Sequence, residues 1–534
     1  MPRSVPRTRQ LLSGAIALAL LAAGWALAAP ASPAGRTAQP ATLAGQLDAI
    51  LSDSRLSGAE AGLTVRDADN GQLLYDANGN ERLLPASNAK VFSSVAAMDL
   101  LGPGYRFRTA VLRSGRLLGH TLLGELYLKG YGDPTSTAAD YDALAAQVAA
   151  TGVRFVDGAL VADDSYFDAD RLAPFWSWDD EPYYYSAQTS ALDIAPDDIG
   201  DTGTILINVL PAAQPGERPT VNVIPANHYV RIANTATTGA AGSARTIQAV
   251  REHGRNVVDV TGSIPAGSSS YASQPTVDQP TGLAAEVFAQ ALARHGVRLR
   301  PGPIRYQASP ATAVPVAEHQ SAPLQQLLIP FLKLSNNMMA EALTKAIGQQ
   351  VAGQGSWAAG TAAILSDAAA SGVGAATLQL FDGSGLGRAD YLTTDQLTSL
   401  LLAVRTKPWF AAWYDALPIA GNPAQLVGGT LRNRLTGTPA ANNLHGKTGS
   451  MTGVSALSGY LTDAGGHHLV FSMISNNFVT GGISHLEDAV ALTLATSGQA
   501  GAGSASPSGV RPAATVPADT GRQAQLECSW VRSC

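Results

Sequence analysis

Apolar positions along this chain change spacing in ways that separate helices from strands. Over residues 43–51 they fall at Leu43, Leu47, Ile50 and Leu51, a helical spacing, whereas Leu63 and Val65 alternate within 61–74 as a strand does. Asp69-Asn70-Gly71 interrupts that alternation as a turn and makes Leu73-Leu74-Tyr75 its hairpin partner. Pro85 ends an extended approach. From Val91 to Leu101 the chain is apolar nearly all round, the pattern of a central, buried helix. Between about 106 and 307 the pattern shifts to short β-like runs at 122–128, 158–161, 205–209, 220–223 and 257–260. Turn residues punctuate them, and a helical stretch covers 283–295. Helical spacing resumes over 324–334 and 338–347, and 454–461 and 467–475 read as two further strands.

Composition narrows the class. A chain of 534 residues exceeds one ordinary core and suggests two or three domains, and 46% apolar with 14% charged residues is globular. A formal net charge of -6 argues against a nucleic-acid binder. Arg3, Arg7 and Arg9 precede an apolar stretch from Leu11 to Ala29 with an Ala-x-Ala site at Ala26-Leu27-Ala28. This is the layout of an export signal over residues 1–29, with an uncleaved membrane anchor as the alternative. Residues 30–42, rich in Ala, Pro and Ser, read as a linker, and 499–534 reads as a disordered tail. Both cysteines, Cys528 and Cys534, lie in that tail, where an exported pair can close only a small loop. The expected location is the extracellular, cell-wall or periplasmic space.

Three short stretches carry the candidate chemistry. In Ser87-Asn88-Ala89-Lys90 the serine falls at or near the N-cap of the apolar helix, and Lys90 follows one turn later on the same face. A serine hydroxyl is a weak nucleophile until a base takes its proton. A lysine desolvated by an apolar helix can be neutral and serve as that base. Ser335-Asn336-Asn337 and Lys447-Thr448-Gly449 follow in that order, and Lys447 is expected on an edge strand. Ser475-Asn476-Asn477 repeats the serine-x-asparagine pattern but comes after the lysine-threonine-glycine stretch, so it is set aside. No H-E-x-x-H, C-x-x-C, phosphate loop or dinucleotide fingerprint occurs, and His467-His468 reads as structural, so no metal or cofactor is expected.

The ordered triple S-x-x-K, S-x-N and K-T-G resembles the low-molecular-mass class C penicillin-binding proteins, the D-alanyl-D-alanine carboxypeptidases and endopeptidases. The resemblance covers roughly residues 43–498. It implies an α/β (α+β) fold: a β-lactamase/DD-peptidase-like serine acyl-transferase core, helices around an antiparallel sheet, at 43–105 and 308–498. A β-rich insertion at 106–307, of two nested domains, would separate the first two motifs. Gly130-Tyr131-Gly132-Asp133-Pro134, Asp164-Ser165-Tyr166-Phe167 and Trp176-Ser177-Trp178-Asp179-Asp180 resemble that family's inserted landmarks. Asp382-Gly383-Ser384-Gly385-Leu386-Gly387-Arg388 resembles a further motif, with Gly387 where the family usually has serine.

The resemblance implies that Ser87 is the nucleophile and Lys90 its base, with Ser335, Asn337 and Lys447 completing the catalytic set. Thr448, Gly449 and Ser450 would bind substrate. Asp180 would meet the free amino end of a diaminopimelate side chain, in a pocket with Tyr185, Ser384, Leu386, Arg388 and Met451. Peptidoglycan stem peptides are the implied substrates and β-lactams the implied covalent inhibitors. A β-lactamase shares the motifs but lacks the large insertion. A penicillin-binding sensor that acylates without turnover would want a membrane-coupling segment. Release of D-alanine from a D-Ala-D-Ala peptide, and the lifetime of a penicilloyl adduct, separate the three.

Overall fold

Five strands form the central sheet of the computed structural model, which describes residues 42–479 and 481–498. In spatial order they are Leu73–Ala77, Glu60–Asp67, His468–Asn476, Val454–Thr462 and His445–Met451, every neighbouring pair antiparallel. Side chains alternate faces along a strand, and the two faces have different partners. Leu457, Leu461, Leu469, Phe471 and Met473 pack with Leu47 of helix Leu43–Leu51 and with Leu486, Val490 and Leu494 of helix Ser484–Thr496. Ala456, Tyr460, Val470 and Ile474 face the opposite way, into a cluster with Val91, Phe92 and Val95 of helix Ala89–Leu100. That helix is buried from Ala89 through Met98, as its all-round apolar pattern requires.

The strand register fixes where Lys447 points. Lys447 pairs with Ser458, whose neighbours two residues away, Ala456 and Tyr460, face the Ala89–Leu100 side. Directly paired residues share a face, so Lys447 projects toward the same helix. Two residues along, on the same face, a side chain on Gly449 would lie 2.7 Å from the Pro85 carbonyl and 2.9 Å from Asn88 Nδ2. Glycine is needed there because the turn carrying Ser87 rests directly on the strand.

The region after residue 106 is rich in strands. One five-stranded sheet orders Arg305–Tyr306, Leu160–Asp163, Leu126–Gly130, Arg108–Arg113 and Val314–Gln320. Two three-stranded sheets lie between residues 206 and 273. A single hydrophobic cluster runs through all of these, from Val111 and Leu128 to Val209, Val258 and Phe288. Two details differ from expectation. Strand Val314–Gln320 pairs with Arg108–Arg113, so the β-rich region closes at Gln320 and not at 307; Pro315 at the sheet edge disguises that strand. Helix Ala138–Ala150 was not anticipated, although Tyr141, Leu144, Ala145 and Val148 have helical spacing and a Thr137/Asp140 capping box starts it. The export-signal stretch 1–29, linker residues 30–41 and the tail 499–534 with its two cysteines lie outside the described residues; Thr42 caps the first helix through its hydroxyl.

Candidate active site

Ser87 lies in the 3₁₀ turn Ala86–Asn88, which runs directly into helix Ala89–Leu100. Ala86 adopts φ 46°, a left-handed conformation unusual outside glycine. The approach to it is pinned from the sheet. The Leu84 N–H donates to Asn476 Oδ1 at 2.7 Å, and Asn476 Nδ2 donates to the Leu84 carbonyl at 3.1 Å. Ser87 was expected at or near the N-cap; the N-cap itself is Asn88, whose side chain makes no capping bond. The extra 3₁₀ turn moves Ser87 one position out, so its hydroxyl meets Lys90 rather than a backbone N–H.

Lys90 is fully buried. Its Nζ donates to Ser87 Oγ at 2.8 Å, to Asn337 Oδ1 at 2.6 Å and to the Ser384 carbonyl at 2.9 Å. Lys447 is equally buried, and its Nζ donates to Ser335 Oγ at 2.8 Å and to the Thr448 carbonyl at 2.7 Å. The two lysine–serine pairs come from elements far apart in sequence. Ser87, Ser335, Asn337, Ser450 and Met451 line one cleft between them.

The Ser335-Asn336-Asn337 stretch divides its labour by geometry. Helix Leu324–Lys333 stops and Ser335 takes φ 58°, turning its hydroxyl toward Lys447. Asn336 caps helix Asn337–Ala352 by accepting from the Met339 N–H at 2.9 Å. Its Nδ2 donates to Asp201 Oδ1 at 2.8 Å, tying this junction to the β-rich region. Asn337 bridges two parts of the site, accepting from Lys90 and donating through Nδ2 to the Tyr185 carbonyl at 2.7 Å.

The other anticipated residues divide into two groups. Tyr185 and Leu386 line the cleft with Met451, and the three pack with Ala86, Val454 and Trp176 in a small apolar cluster. Asp180, half-buried at the end of the otherwise exposed 3₁₀ turn Trp178–Asp180, accepts from Tyr185 Oη at 2.9 Å. Burial first, and then the charge of Asp180, push the Tyr185 phenol well above its ordinary range. By contrast, Ser384 contributes its backbone carbonyl to Lys90, while its buried hydroxyl accepts from the Leu386 N–H at 3.3 Å. Exposed Arg388 donates to the Thr452 carbonyl at 3.1 Å and braces that turn at the rim. Thr448 Oγ1 donates to Thr430 Oγ1 at 2.7 Å, and Gly449 serves the close approach described above.

Four polar residues near the site were not read from the sequence as functional. Asn476, in the stretch set aside as a chance match, clamps the approach to Ser87. Asn336 joins two regions of the chain. Glu341 and Asp382 lie behind Lys90, fully buried, and grip the turn that carries the Ser384 carbonyl. The only signal in the sequence was their company: Asn476, Asn336 and Asp382 stood inside stretches already singled out, and Glu341 one helical turn after Asn337. Among the described residues no group of three His, Cys, Asp or Glu side chains is placed to hold a metal ion.

Residues 43–496 match the model of the D-Ala-D-Ala carboxypeptidase 3 (S13) family. The chain is 42% identical over 510 residues to a D-alanyl-D-alanine carboxypeptidase of an Actinomadura species, covering 95% of this chain and 93% of that protein. It is 28% identical to the D-alanyl-D-alanine carboxypeptidase DacB of Haemophilus influenzae, covering 79% of this chain and 87% of that protein. The crystal structure of penicillin binding protein 4 (dacB) from Haemophilus influenzae superposes with a TM-score of 0.73 at 26% identity, covering 84% of this chain and 98% of that one. The same protein complexed with a β-lactam gives a TM-score of 0.67 at 25% identity, with the same shares covered.

Proposed function

From the premise that the chain belongs to the D-Ala-D-Ala carboxypeptidase 3 (S13) family of penicillin-binding peptidases, we propose that its peptidase reaction runs through an acyl-enzyme on Ser87. The protein is a serine-type D-Ala-D-Ala carboxypeptidase, a hydrolase of the low-molecular-mass class C kind. The observation that carries the assignment is the 2.8 Å contact between a fully buried Lys90 amine and the Ser87 hydroxyl.

Neutral Lys90 takes the Ser87 proton as Oγ attacks the carbonyl between the two D-alanines. Charge developing on that oxygen is met by the backbone N–H groups of Ser87 and Ser450, a contribution of roughly 3–4 kcal/mol per donor where it has been measured. Ser335 relays a proton to the leaving D-alanine amine. Asn337 keeps Lys90 in place and offers its amide to the substrate backbone. Lys447 supplies positive charge near the terminal carboxylate, with Thr448 as a hydrogen-bonding partner and Gly449 admitting the close approach. Water then releases the shortened peptide.

A β-lactam presents a strained amide to the same nucleophile, which makes it a covalent inhibitor. Peptidoglycan stem peptides are the substrate class. Asp180 recognises the free amino end of a diaminopimelate side chain above the Tyr185, Leu386 and Met451 cluster, with Ser384 and Arg388 holding the surrounding turns. The β-rich stretch closing at Gln320 is taken as an insertion into the core. Export is inferred from residues 1–29, and among the described residues no helix is long and apolar enough to cross a membrane.

Release of D-alanine from a synthetic D-Ala-D-Ala peptide tests the assignment. Wild type should release it and Ser87→Ala should not. Turnover persisting in Ser87→Ala would remove the nucleophile from this position.

A further inference from the structure

We propose that Asp382 and Glu341 are positioning residues for Lys90: together they hold the turn 383–387 so that the Ser384 carbonyl faces the lysine amine. The proposal rests on the reading of Lys90 as the base. Glu341 stands one helical turn after Asn337 on helix Asn337–Ala352, so both project from the same face. Asn337 reaches Lys90 directly, at 2.6 Å. Glu341 works on the turn behind it. It accepts from the Gly383 and Ser384 N–H groups, each at 3.0 Å, and from Trp357 Nε1 at 2.7 Å.

Asp382 takes the next peptides of the same turn. It accepts from the Gly385 N–H at 2.6 Å, from the Gly387 N–H at 2.7 Å and from Trp176 Nε1 at 2.7 Å. The Gly385 N–H and the Ser384 carbonyl belong to one peptide plane. Fixing the N–H on a carboxylate therefore fixes the direction of the carbonyl, and a hydrogen-bonded peptide is polarised so that its oxygen is a better acceptor. The preceding peptide is arranged the same way, with the Ser384 N–H on Glu341 and the Gly383 carbonyl accepting from Ser93 Oγ at 2.8 Å.

In consequence the N–H groups of Gly383, Ser384, Gly385 and Gly387 face two buried acids, and the Gly383 and Ser384 carbonyls face the helix that carries Lys90. The turn also packs directly against the nucleophile turn, which limits how closely it can approach that helix. A side chain on Gly385, whose φ is 81°, would lie 1.9 Å from the Ala86 carbonyl. Neither acid lines the cleft, so neither touches substrate directly.

The test uses the full chain and two probes, benzylpenicillin and a D-Ala-D-Ala peptide, with acylation separated into a binding constant K and a rate k2. Asp382→Asn should lower k2 and kcat about 10- to 100-fold, and Glu341→Gln should lower them less, with K and KM changed by no more than about twofold. Asp382→Asn is expected to be the worse because its bond lies on the peptide that bears the Ser384 carbonyl. Combined with Lys90→Ala, either substitution should cost little more than Lys90→Ala alone, since the residue it positions is already gone.

Wild-type k2 in both folded variants would overturn the proposal, as would a raised K with unchanged k2, or losses that multiply fully on Lys90→Ala. Should both variants fail to fold, Trp357→Phe keeps an aromatic ring at this buried position and removes the indole donor to Glu341. A lowered k2 with unchanged K there supports the proposal, and an unchanged k2 refutes it. Failure of the underlying reading looks different: Lys90→Ala alone would then acylate at the wild-type rate.

Discussion

At the floor of the cleft Lys90 and Lys447 are each fully buried and each reaches a serine hydroxyl at 2.8 Å, whereas at the rim a half-buried Asp180 ends an exposed 3₁₀ turn and connects to the cleft through Tyr185 Oη at 2.9 Å. The floor is assembled from the central sheet, the helix beside it and the Ser335 junction. Its polar atoms are fixed by several contacts in a water-poor setting, where electrostatic effects are strong. The rim belongs to the β-rich region and faces solvent, where a charge is screened and worth less. On the proposed reading, chemistry belongs to the floor and discrimination among substrates to the rim.

The comparison breaks most visibly at Lys90. Lys90→Arg keeps the positive charge but cannot become neutral, so acylation by penicillin should fall by about 10²–10⁴-fold. Stopped-flow acylation rates near the wild-type value would rule out the neutral-base role. A smaller loss is expected at the other buried lysine. Lys447→Ala removes a charge-assisted contact worth roughly 1.5–3 kcal/mol, hence about 10- to 100-fold in kcat/KM for peptides ending in a carboxylate. A variant indifferent to amidation of that carboxylate would support the role; one that keeps wild-type preference for the free acid would not.

At the rim, Asp180→Ala should cost nearer tenfold than hundredfold, because the half-buried carboxylate is partly screened, and only for peptides with a free side-chain amine. Equal losses on N-acylated peptides would make Asp180 a structural residue and end the division between floor and rim. The smallest effect is one of pH on stability. Burial first, and then the charge of Asp382, push the Glu341 carboxyl from its ordinary 4.5 up to about 7. The folded chain thus holds that proton more tightly than the unfolded chain does. The associated stability is complete below 4.5 and is lost as pH rises through about 7. Wild-type Tm should accordingly decline relative to that of Glu341→Gln across this window, and a Tm difference independent of pH would contradict a buried, titrating Glu341.

The floor was far more legible in the sequence than the rim. The helix at 91–101, the hairpin at 61–75 and the last strands announce themselves because each buries one apolar set with a fixed period. The three motifs could be named because their residue types are few and ordered. What held them in place could not be read. Asn476 and Ser384 act through backbone geometry, and Glu341 and Asp382 through N–H groups that every sequence possesses. Ala86 and Ser335 take positive φ values that their residue types do not advertise. The β-rich region was harder, since its strands are short and edge residues such as Pro315 interrupt their alternation. There the helix Ala138–Ala150 was overlooked because alanine dilutes an otherwise regular apolar stripe.

The most direct test of the central claim is to locate the penicilloyl adduct. Wild-type protein incubated with benzylpenicillin should gain the mass of one penicilloyl unit, and peptide mapping should place it on Ser87, with no gain in Ser87→Ala. An adduct on any other residue, or one that forms undiminished in Ser87→Ala, would contradict the account.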